Sequence, residues 1–319
     1  MKDRVFIGLT EVAGYFGALR RGFEQAGHET TFVDESRHRF KYGGARTPFS
    51  TLVAAELTAR NRQLTAASEL ERFRWRLVSI FIRPLKLAYR VGLLAWGLAR
   101  FDIFIFGGEQ SFLRGNVDLP LLQLCGKRVI WIFTGSDHRP PYLSGRSIRA
   151  TTSDSKLAEQ TAAVARRVAH IERYALVVGH PASAQLHRRP FVRFLAIGIP
   201  AWRPNLPAAI PPDGTFRVVH CPSDPASKGS ASIRRAAASA SDAGAITYRE
   251  VVDRPNAEVL EAIAEADLVV DELFSDTPMA VLATEAAVIG RPSLVGGYYA
   301  RQVHRDSPPD EIPPSFFVL

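Results

Sequence analysis

Two charged side chains in the last third of the chain, Lys228 and Glu285, have the types and the setting that phosphate and ribose recognition require. Lys228 lies in the segment HCPSDPASKG (residues 220–229), which directly follows a short apolar run. Glu285 lies among alanines in VVDELFSDTPMAVLATEAAVIGRPSLVG (residues 269–296). A loop that leads from a strand into a helix can hold a phosphate with its backbone N–H groups, and a lysine adds a point charge. Because a nearby carboxylate can accept ribose hydroxyls, the pair predicts a nucleotide-diphosphate site.

Each of the two residues also has a plain structural interpretation. A Lys-Gly pair at the start of a helix is often a solvated cap, and the GxxxxGK[ST] spacing of a Walker loop is absent. A glutamate in so apolar a helix either faces a cleft or remains unpaired at high cost. The cleft is therefore the favoured position for Glu285, and the interpretation of Lys228 depends on whether it shares that cleft.

The backbone around these side chains supplies further candidate contacts. A helix N-terminus offers free N–H groups and a favourable dipole to a diphosphate. Asp271 ends a buried strand, and the favoured interpretation for it is a cap of the following loop. The candidate contacts to the nucleotide diphosphate are Ser223, Lys228, Gly229, Thr277, Pro278, Met279, Ala280, Val281 and Glu285.

The first half of the chain offers four weaker candidates, each at the end of a predicted strand. Gly14 and Tyr15 follow the first strand, where a doubly wound sheet places its ligands. Asp137 and His138 follow a later strand within FTGSDHR, and either could contact an acceptor or a donor sugar. The alternatives are an ordinary tight turn for the first pair, and an Asx turn beside a surface histidine for the second.

The elements that must position these residues alternate between β and α along the chain. Short apolar runs, as at residues 4–8, 103–106, 129–133, 216–221 and 268–271, are separated by amphipathic helical patterns. This alternation predicts an α/β fold with parallel sheets. Five prolines in residues 200–214 exclude a helix there and indicate a linker. We therefore expect two Rossmann-like, doubly wound domains that face a cleft, over residues 1–205 and 206–319. Because the chain stops at PPSFFVL, as another strand begins, the second domain is expected to be truncated.

The amino-acid composition limits the classes of partner that we expect the protein to bind. Forty Lys and Arg against 32 Asp and Glu give a net charge of +8, which suits an anionic partner or reflects an arginine-rich proteome. Cys125 and Cys221 lie in or beside apolar runs and are expected to be buried free thiols in a reducing compartment. No Cys/His cluster has zinc spacing, so no metal site and no cofactor are predicted. The N-terminus enters a strand at once, so no signal peptide is expected.

A basic helical region covers residues 68–100. Aromatic and aliphatic residues alternate there with seven Arg and Lys residues, and the longest uncharged run is too short to cross a bilayer, which needs about 20 residues. Two interpretations remain open. The region can pack on the first domain with its cations in water, or lie over residues 72–100 on an anionic membrane surface. Nucleic acid is not expected as a partner, because no recognition motif accompanies the charge.

The order of the predicted elements and the local sequence motifs in the second half of the chain resemble the donor-binding half of GT-B glycosyltransferases of the family 4 type. The resemblance rests on HCPSDPASKG, EAIAEADLVVDELF and TPMAVLATEAAVIGRPSLVGG, and it is weaker before residue 200. It implies that Lys228 contacts the donor diphosphate and that Glu285, as the second glutamate of a Glu-x7-Glu motif, binds the donor ribose. Thr277 stands at the first glutamate of that motif, and Ser223 stands where the family commonly has an arginine.

The resemblance implies a retaining, metal-independent glycosyltransferase. Its donor would be a UDP- or GDP-sugar and its acceptor a saccharide or lipid-linked molecule, in cell-envelope polysaccharide or glycoconjugate biosynthesis. Such an enzyme is expected in the cytoplasm or at the inner face of the cell membrane. Asp137, His138, Lys228 and Glu285 are its candidate catalytic residues. The alternatives are a catalytically silent GT-B module that binds a partner or glycan, and a nucleotide-sugar epimerase.

Overall fold

The computed structural model describes residues 2–36, 47–65, 68–144, 152–193, 216–274, 280–303, 309, 312 and 315–318. Within these ranges the chain forms two parallel β-sheets, one from each half of the sequence. Each sheet is built from the short apolar runs that the sequence alternates with helical patterns. Parallel strands need crossover connections, and the helices between them supply these.

The first sheet has six strands in the order β2-β1-β3-β4-β5-β6. Its neighbouring strands are all parallel, with β1 between β2 and β3. An aromatic core that contains Phe6, Phe104, Phe106 and Trp131 fills one side of this sheet. The strands are β1 (Arg4–Leu9), β2 (Glu29–Asp34), β3 (Ile103–Gly107), β4 (Arg128–Ile132), β5 (Leu176–Gly179) and β6 (Val192–Arg193).

In the part of the chain that the structure describes, five α-helices accompany the first sheet. Two of them, α2 and α3, lie between β2 and β3 in the sequence and pack against each other. Pro84 lies inside α3, which is one uninterrupted helix of 32 residues, although a proline in a helix interior generally kinks or breaks the helix. The helices are α1 (Tyr15–Gln25), α2 (Pro48–Thr65), α3 (Glu69–Arg100), α4 (Leu119–Leu124) and α5 (Asp154–Ile171).

The second sheet has five strands in the order β11-β10-β9-β7-β8, again parallel throughout. The order in which the chain adds strands to this sheet reverses after β8. Strand β8 lies on one side of β7, and β9 lies on its other side. The strands are β7 (Phe216–His220), β8 (Ile246–Glu250), β9 (Leu268–Val270), β10 (Ser293–Gly296) and β11 (Phe316–Val318), and the helices are α6 (Pro225–Lys228), α7 (Ser230–Asp242), α8 (Asn256–Glu265) and α9 (Val281–Ile289).

The predicted fold class, α/β with two Rossmann-like domains, is confirmed by these two sheets. The two halves touch where the hydroxyl of Tyr298 donates to the carbonyl oxygen of Ala182 over 3.0 Å, and where Ala182 packs with Tyr299 and Val303. The expected domain boundary at residues 205/206 lies outside the described residues and stays a prediction. None of the helices described is both long enough and apolar enough to span a bilayer.

Candidate functional site

The two sheets face each other across a cavity of about 630 Å³. From the first domain, it is lined by residues that follow β1, β4 and β5, among them Val12, Ser136 and His180. From the second domain, it is lined by the segments that follow β7, β8 and β9. These are the carboxyl ends of parallel strands, and β7 and β9 flank the reversal of the second sheet. Doubly wound sheets place their ligands at such a position, so this cavity is the candidate site.

Lys228 reaches the cavity from the end of the one-turn helix α6. Asp224 begins that turn by accepting the N–H of Ala226 over 3.2 Å and the hydroxyl of Ser227 over 2.6 Å. Gly229 ends it with φ at 79°, in the left-handed region that favours glycine. The ammonium of Lys228 lies 2.7 Å from Oε2 of Glu272. Lys228 is therefore held at the cavity by a carboxylate that follows β9.

Glu285 lies on α9, on the face turned towards the same cavity. Only 6% of the residue is exposed, and its Oε1 accepts a hydrogen bond from Nδ2 of Asn256 over 2.8 Å. Burial raises the pKa of Glu285 from 4.5 to about 7, against the opposing effect of the Asn256 hydrogen bond. A buried carboxylate with one fixed donor retains acceptor capacity for further hydroxyl groups.

Asp271 follows β9 and lines the cavity beside both residues. Its Oδ1 lies 3.8 Å from the ammonium of Lys228, and its charge raises the pKa of Glu285. Burial raises the pKa of Asp271 itself to about 6, which Lys228 opposes. The strand end thus places a carboxylate next to the lysine and the glutamate that the sequence singles out.

The cavity carries more acids than bases among its described lining residues. Three are cationic, namely Lys228, Arg139 and Arg254, whereas five carry carboxylates. The excess positive charge of the chain therefore lies elsewhere, and much of it is on α3. The five acidic lining residues are Asp224, Asp253, Asp271, Glu272 and Glu285.

The predicted contacts of the second domain fall into three groups. Five of the predicted residues line the cavity, and Gly229 does not line it but shapes the turn that carries Lys228. Three others, Thr277, Pro278 and Met279, lie outside the described residues. The five that line the cavity are Ser223, Lys228, Ala280, Val281 and Glu285.

Asp137 and His138 are buried, and neither lines the cavity. The Asp137 carboxylate accepts the N–H groups of Thr134 and Gly135, so it closes its own turn. Burial raises its pKa to about 6. The ring of His138 is not on the surface, because it stacks on Phe133 at 4.8 Å between ring centroids. The structure brings their loop to the cavity, through residues 134–136, but not these two side chains.

The ring of His138 belongs to a buried hydrogen-bonded chain. Its Nδ1 lies 2.8 Å from Nε2 of His187, whose Nδ1 lies 2.8 Å from Oε1 of Glu172. Burial, together with the neighbouring histidines, lowers the pKa of His138 to about 2. This hydrogen-bonded chain ties the loop after β4 to the end of α5.

Gly14 and Tyr15 do not line the cavity either. They begin α1, with Gly14 at φ 79°, and the N–H groups at that helix start already have an anionic partner. The Glu11 carboxylate accepts the N–H of Phe16 over 3.1 Å and that of Gly17 over 2.9 Å. The protein's own side chain thus occupies the position that a ligand anion would take.

Sequence reasoning missed several residues of the site. Asp271 was interpreted as a loop cap, and Glu272, Asn256 and Cys221 were not singled out as ligand contacts. The sequence did hold a signal for Asp271 and Glu272. Both follow a strand that neighbours β7, and the end of β7 leads to Lys228. Cys221 lines the cavity as a neutral thiol, since burial raises its pKa to about 12. Both cysteines are free, but Cys125 is exposed rather than buried as expected.

No protein-family model matches the sequence, and no curated protein matches it. Among solved structures, the chain is similar to the Anabaena protein HepE in complex with UDP and glucose, at 12% identity and a TM-score of 0.46 over 100% of this chain and 86% of that one. It is similar to a spinosyn rhamnosyltransferase with thymidine diphosphate, at 14% identity and a TM-score of 0.38 over 96% and 84%. It is also similar to a UDP-GlcNAc 2-epimerase from Methanocaldococcus jannaschii, at 9% identity and a TM-score of 0.37 over 100% and 89%. Function is therefore inferred from the residues of the cavity.

Proposed function

We propose that the protein is a glycosyltransferase that moves a sugar from a nucleotide-diphosphate sugar to a saccharide or lipid-linked acceptor. One observation carries the proposal. Lys228 and Glu285 come from separate segments of the sequence, yet both line one interdomain cavity at the reversal of a parallel sheet. Its volume of about 630 Å³ lies in the range of small-molecule sites, roughly 300–1,000 Å³.

The roles follow from the chemistry of the two side chains. The ammonium of Lys228 attracts the donor diphosphate, and the start of α9, at Ala280 and Val281, lines the same space, where a helix N-terminus favours an anion. Glu285 accepts hydroxyls of the donor ribose. As the bond to the sugar breaks, negative charge grows on the leaving diphosphate, and a preorganised cation lowers the energy of that state.

The first domain supplies the opposite wall, where the acceptor would bind. Thr134, Ser136, Arg139 and Ser183 line this wall. Asp137 is a positioning residue in this proposal, because its carboxylate fixes the turn that presents these side chains. His138 has the same role through its link to His187. Two domains that close on a substrate exclude water and so limit hydrolysis of the donor.

The family resemblance also leads us to propose retention of anomeric configuration, catalysis without a metal, and a UDP- or GDP-sugar as the donor. A product analysis by NMR of the anomeric linkage tests retention. Activity measured after treatment with a chelator, with and without added Mg²⁺, tests metal independence.

Calorimetric titration with UDP-glucose and GDP-mannose tests the proposed function directly. We expect binding of at least one nucleotide sugar by the intact protein, and a loss of about tenfold to a hundredfold in Lys228→Met and in Glu285→Gln, since a bond to a charged group contributes about 1.5–3 kcal/mol. Arg235→Met and Glu261→Gln, which change exposed residues of the same domain, are matched controls and should bind as the wild type does. Folded protein that binds no nucleotide sugar would reject the enzyme in favour of a silent binding module.

We also propose that α3 docks the protein on an anionic membrane surface, where a lipid-linked acceptor would be found. The face of α3 opposite its buried residues Ser79 and Ile82 carries a stripe of large apolar side chains that are exposed in water. We call this set the outer stripe; its members are Leu70, Phe73, Leu77, Ile80, Phe81, Leu87 and Val91.

Charge favours a bilayer over a second copy of the chain as the partner of the outer stripe. Arg74 and Arg76 are exposed beside it, whereas Arg83 lies 3.8 Å from Glu56 on α2. In a parallel pair of α3 helices Arg74 and Arg76 would each face their own copy. Like charges at such positions destabilise a pair, whereas anionic lipid headgroups attract both, by about 1 kcal/mol each.

Vesicle flotation tests the docking surface. We expect the protein to float with vesicles that contain phosphatidylglycerol and not with pure phosphatidylcholine vesicles. Serine substitutions at Phe73, Leu77 and Phe81 should abolish flotation, whereas Leu124→Ser, which changes an 85% exposed leucine on α4, should leave it unchanged. Flotation that is indifferent to lipid charge, or a protein that sediments as a dimer through the outer stripe, would overturn this part of the proposal.

A further inference from the structure

The acidity of the cavity raises a problem for any diphosphate ligand. Among the described ion pairs, the cation paired with the carboxylates that follow β9 is Lys228, which lies 2.7 Å from Glu272 and 3.8 Å from Asp271 and is neutralised by them. Glu285 lines the same cavity. A nucleotide sugar carries two negative charges on its diphosphate, and at partly buried positions like charges a few ångströms apart repel by several kcal/mol. Ligand binding therefore requires that some of the local negative charge be removed.

Among the carboxylates of the cavity, Asp271 has the position that best suits the loss of its charge by uptake of a proton. The residue is 1% exposed and lines the cavity. One oxygen, Oδ1, lies 3.8 Å from the ammonium of Lys228, and the carboxylate accepts the N–H of Ala283. The other oxygen, Oδ2, has no hydrogen-bond partner among the residues described. A buried polar atom without a partner is uncommon in native structures and calls for a ligand or a water.

Burial and the neighbouring Glu272 carboxylate favour the protonated form of Asp271, and Lys228 opposes it. The charged groups around it are Lys228 and Glu272, together with Glu285 on α9. From the end of β7, the thiol of Cys221 is neutral, and burial keeps the pKa of His220 below its ordinary value. Burial raises the pKa of Asp271 to about 6 even with Lys228 present. Two further negative charges on a ligand would raise it again.

We propose that Asp271 is a ligand-binding residue of this cavity, and that it takes up one proton from solvent as the diphosphate binds and then donates that proton from Oδ2 to an oxygen of the ligand. The inference rests on the proposed function, because it needs the donor diphosphate beside Lys228. One O–H bond forms at Oδ2 and one O–H or N–H bond breaks in the buffer acid that supplies the proton; no other covalent bond changes. Asp271 then neutralises the site and supplies a donor, which gives the cavity its preference for anions despite its acids.

Proton uptake has a measurable consequence. Above pH 6, where the unliganded carboxyl is ionised, affinity for the ligand should fall about tenfold for each unit of pH, since one proton is bound with it. Glu285, whose pKa is about 7, titrates in the same range. The pH dependence of the wild type alone therefore does not identify the group, and a variant at Asp271 is required.

Asp271→Asn is the decisive variant. An asparagine keeps an acceptor for the N–H of Ala283, carries no charge and offers an N–H donor from the position of Oδ2. It resembles the protonated carboxyl, so it should fold at least as stably as the wild type. Glu261→Gln changes an exposed carboxylate on α8 that does not line the cavity, and it serves as the matched control.

The experiment is calorimetric titration with UDP-glucose and GDP-mannose between pH 6 and pH 8.5, in buffers of different ionisation enthalpy. These ligands have no phosphate group that titrates in the range, unlike UDP itself. We expect uptake of about one proton per ligand in the wild type and in Glu261→Gln at pH 7.5. In Asp271→Asn we expect little uptake, and at pH 8.5 an affinity at least tenfold above that of the wild type. Asp271→Ala, which has no donor, should bind more weakly than Asp271→Asn.

The outcomes separate the inference from the proposed function. Binding without proton uptake, or the same uptake in Asp271→Asn as in the wild type, overturns the role of Asp271 and leaves the glycosyltransferase proposal intact. Absence of binding at every pH, by protein that unfolds cooperatively, overturns both. Uptake that disappears only in Asp271→Asn supports both.

Discussion

Replacing Glu285 by glutamine separates a ligand-binding carboxylate from a structural one, because the two predict opposite effects on stability. Glutamine retains the oxygen that accepts from Asn256 over 2.8 Å and removes only the charge. In the folded protein the pKa of Glu285 is about 7, against an ordinary value of 4.5. At 1.36 kcal/mol per pH unit, this rise corresponds to about 3 kcal/mol by which the ionised carboxylate destabilises the fold.

The pH dependence of this effect has a definite sign. Below pH 4.5 the carboxyl is protonated in both the folded and the unfolded chain, so Glu285→Gln should have the stability of the wild type. Between pH 4.5 and about 7 the folded protein holds the proton more tightly, and the stability of the wild type falls as pH rises. Above pH 7 the difference is complete, and Glu285→Gln should be more stable by about 3 kcal/mol at most.

Denaturant unfolding at pH 4.5 and pH 8, with nucleotide-sugar titration at pH 8, measures both effects. We expect Glu285→Gln to gain stability at pH 8 while its affinity falls by about tenfold to a hundredfold. Glu261→Gln, with an exposed carboxylate on the neighbouring helix α8, should change neither quantity. A variant that loses stability at pH 8 would show that the carboxylate holds the fold together, and the reasoning would be refuted.

Three further predictions concern the framework of the site. Gly229→Ala should lose about 1–2 kcal/mol of stability in denaturant unfolding and weaken nucleotide binding, because φ is 79° there and a Cβ would lie 3.0 Å from a neighbouring side chain; unchanged binding would contradict it. Arg90→Met should lower the free energy of unfolding by about 3–5 kcal/mol at pH 8, since Arg90 lies 2.6 Å from the buried Glu35. The loss should be smaller at pH 5, because burial raises the pKa of the Glu35 carboxyl to about 7 and the carboxyl is then protonated. Equal losses in denaturant unfolding at both pH values would refute the pairing. A thiol reagent at pH 7.5 should modify the exposed Cys125 and leave Cys221 unmodified until the protein unfolds, and rapid reaction of both thiols would contradict the burial of Cys221.

Much of the fold could be predicted from the sequence because its signals are local. The run Phe216–His220 and the pattern of Asn256–Glu265 each indicate a strand or a helix through the spacing of their apolar residues. The alternation of such elements predicts parallel sheets, because consecutive parallel strands need crossovers. The positions of Lys228 and Glu285 at strand and helix ends then predict a shared edge, and both do line the cavity.

The contacts of charged groups could not be predicted in the same way. The lysine at 228 has a carboxylate partner, Glu272, that lies 44 positions away in the sequence and 2.7 Å away in space. Asp137 and His138 look like site residues because they follow a strand, yet the turn folds both side chains inwards. In each case the outcome depends on which neighbouring segment supplies a donor or an apolar surface, and no local pattern states that.

The amino-acid sequence was enough to predict the alternation of strands and helices and the α/β class. It also predicted the approximate positions of a lysine and a glutamate that suit nucleotide recognition. Only the tertiary structure decided that Asp271 joins these two residues with an unpartnered oxygen, and that the apolar face of α3 from Leu70 to Val91 is turned to water. The physical reason is the range of the forces involved. Backbone hydrogen bonding and side-chain periodicity act within a few residues, whereas burial and charge pairing depend on segments that meet only when the whole chain has folded.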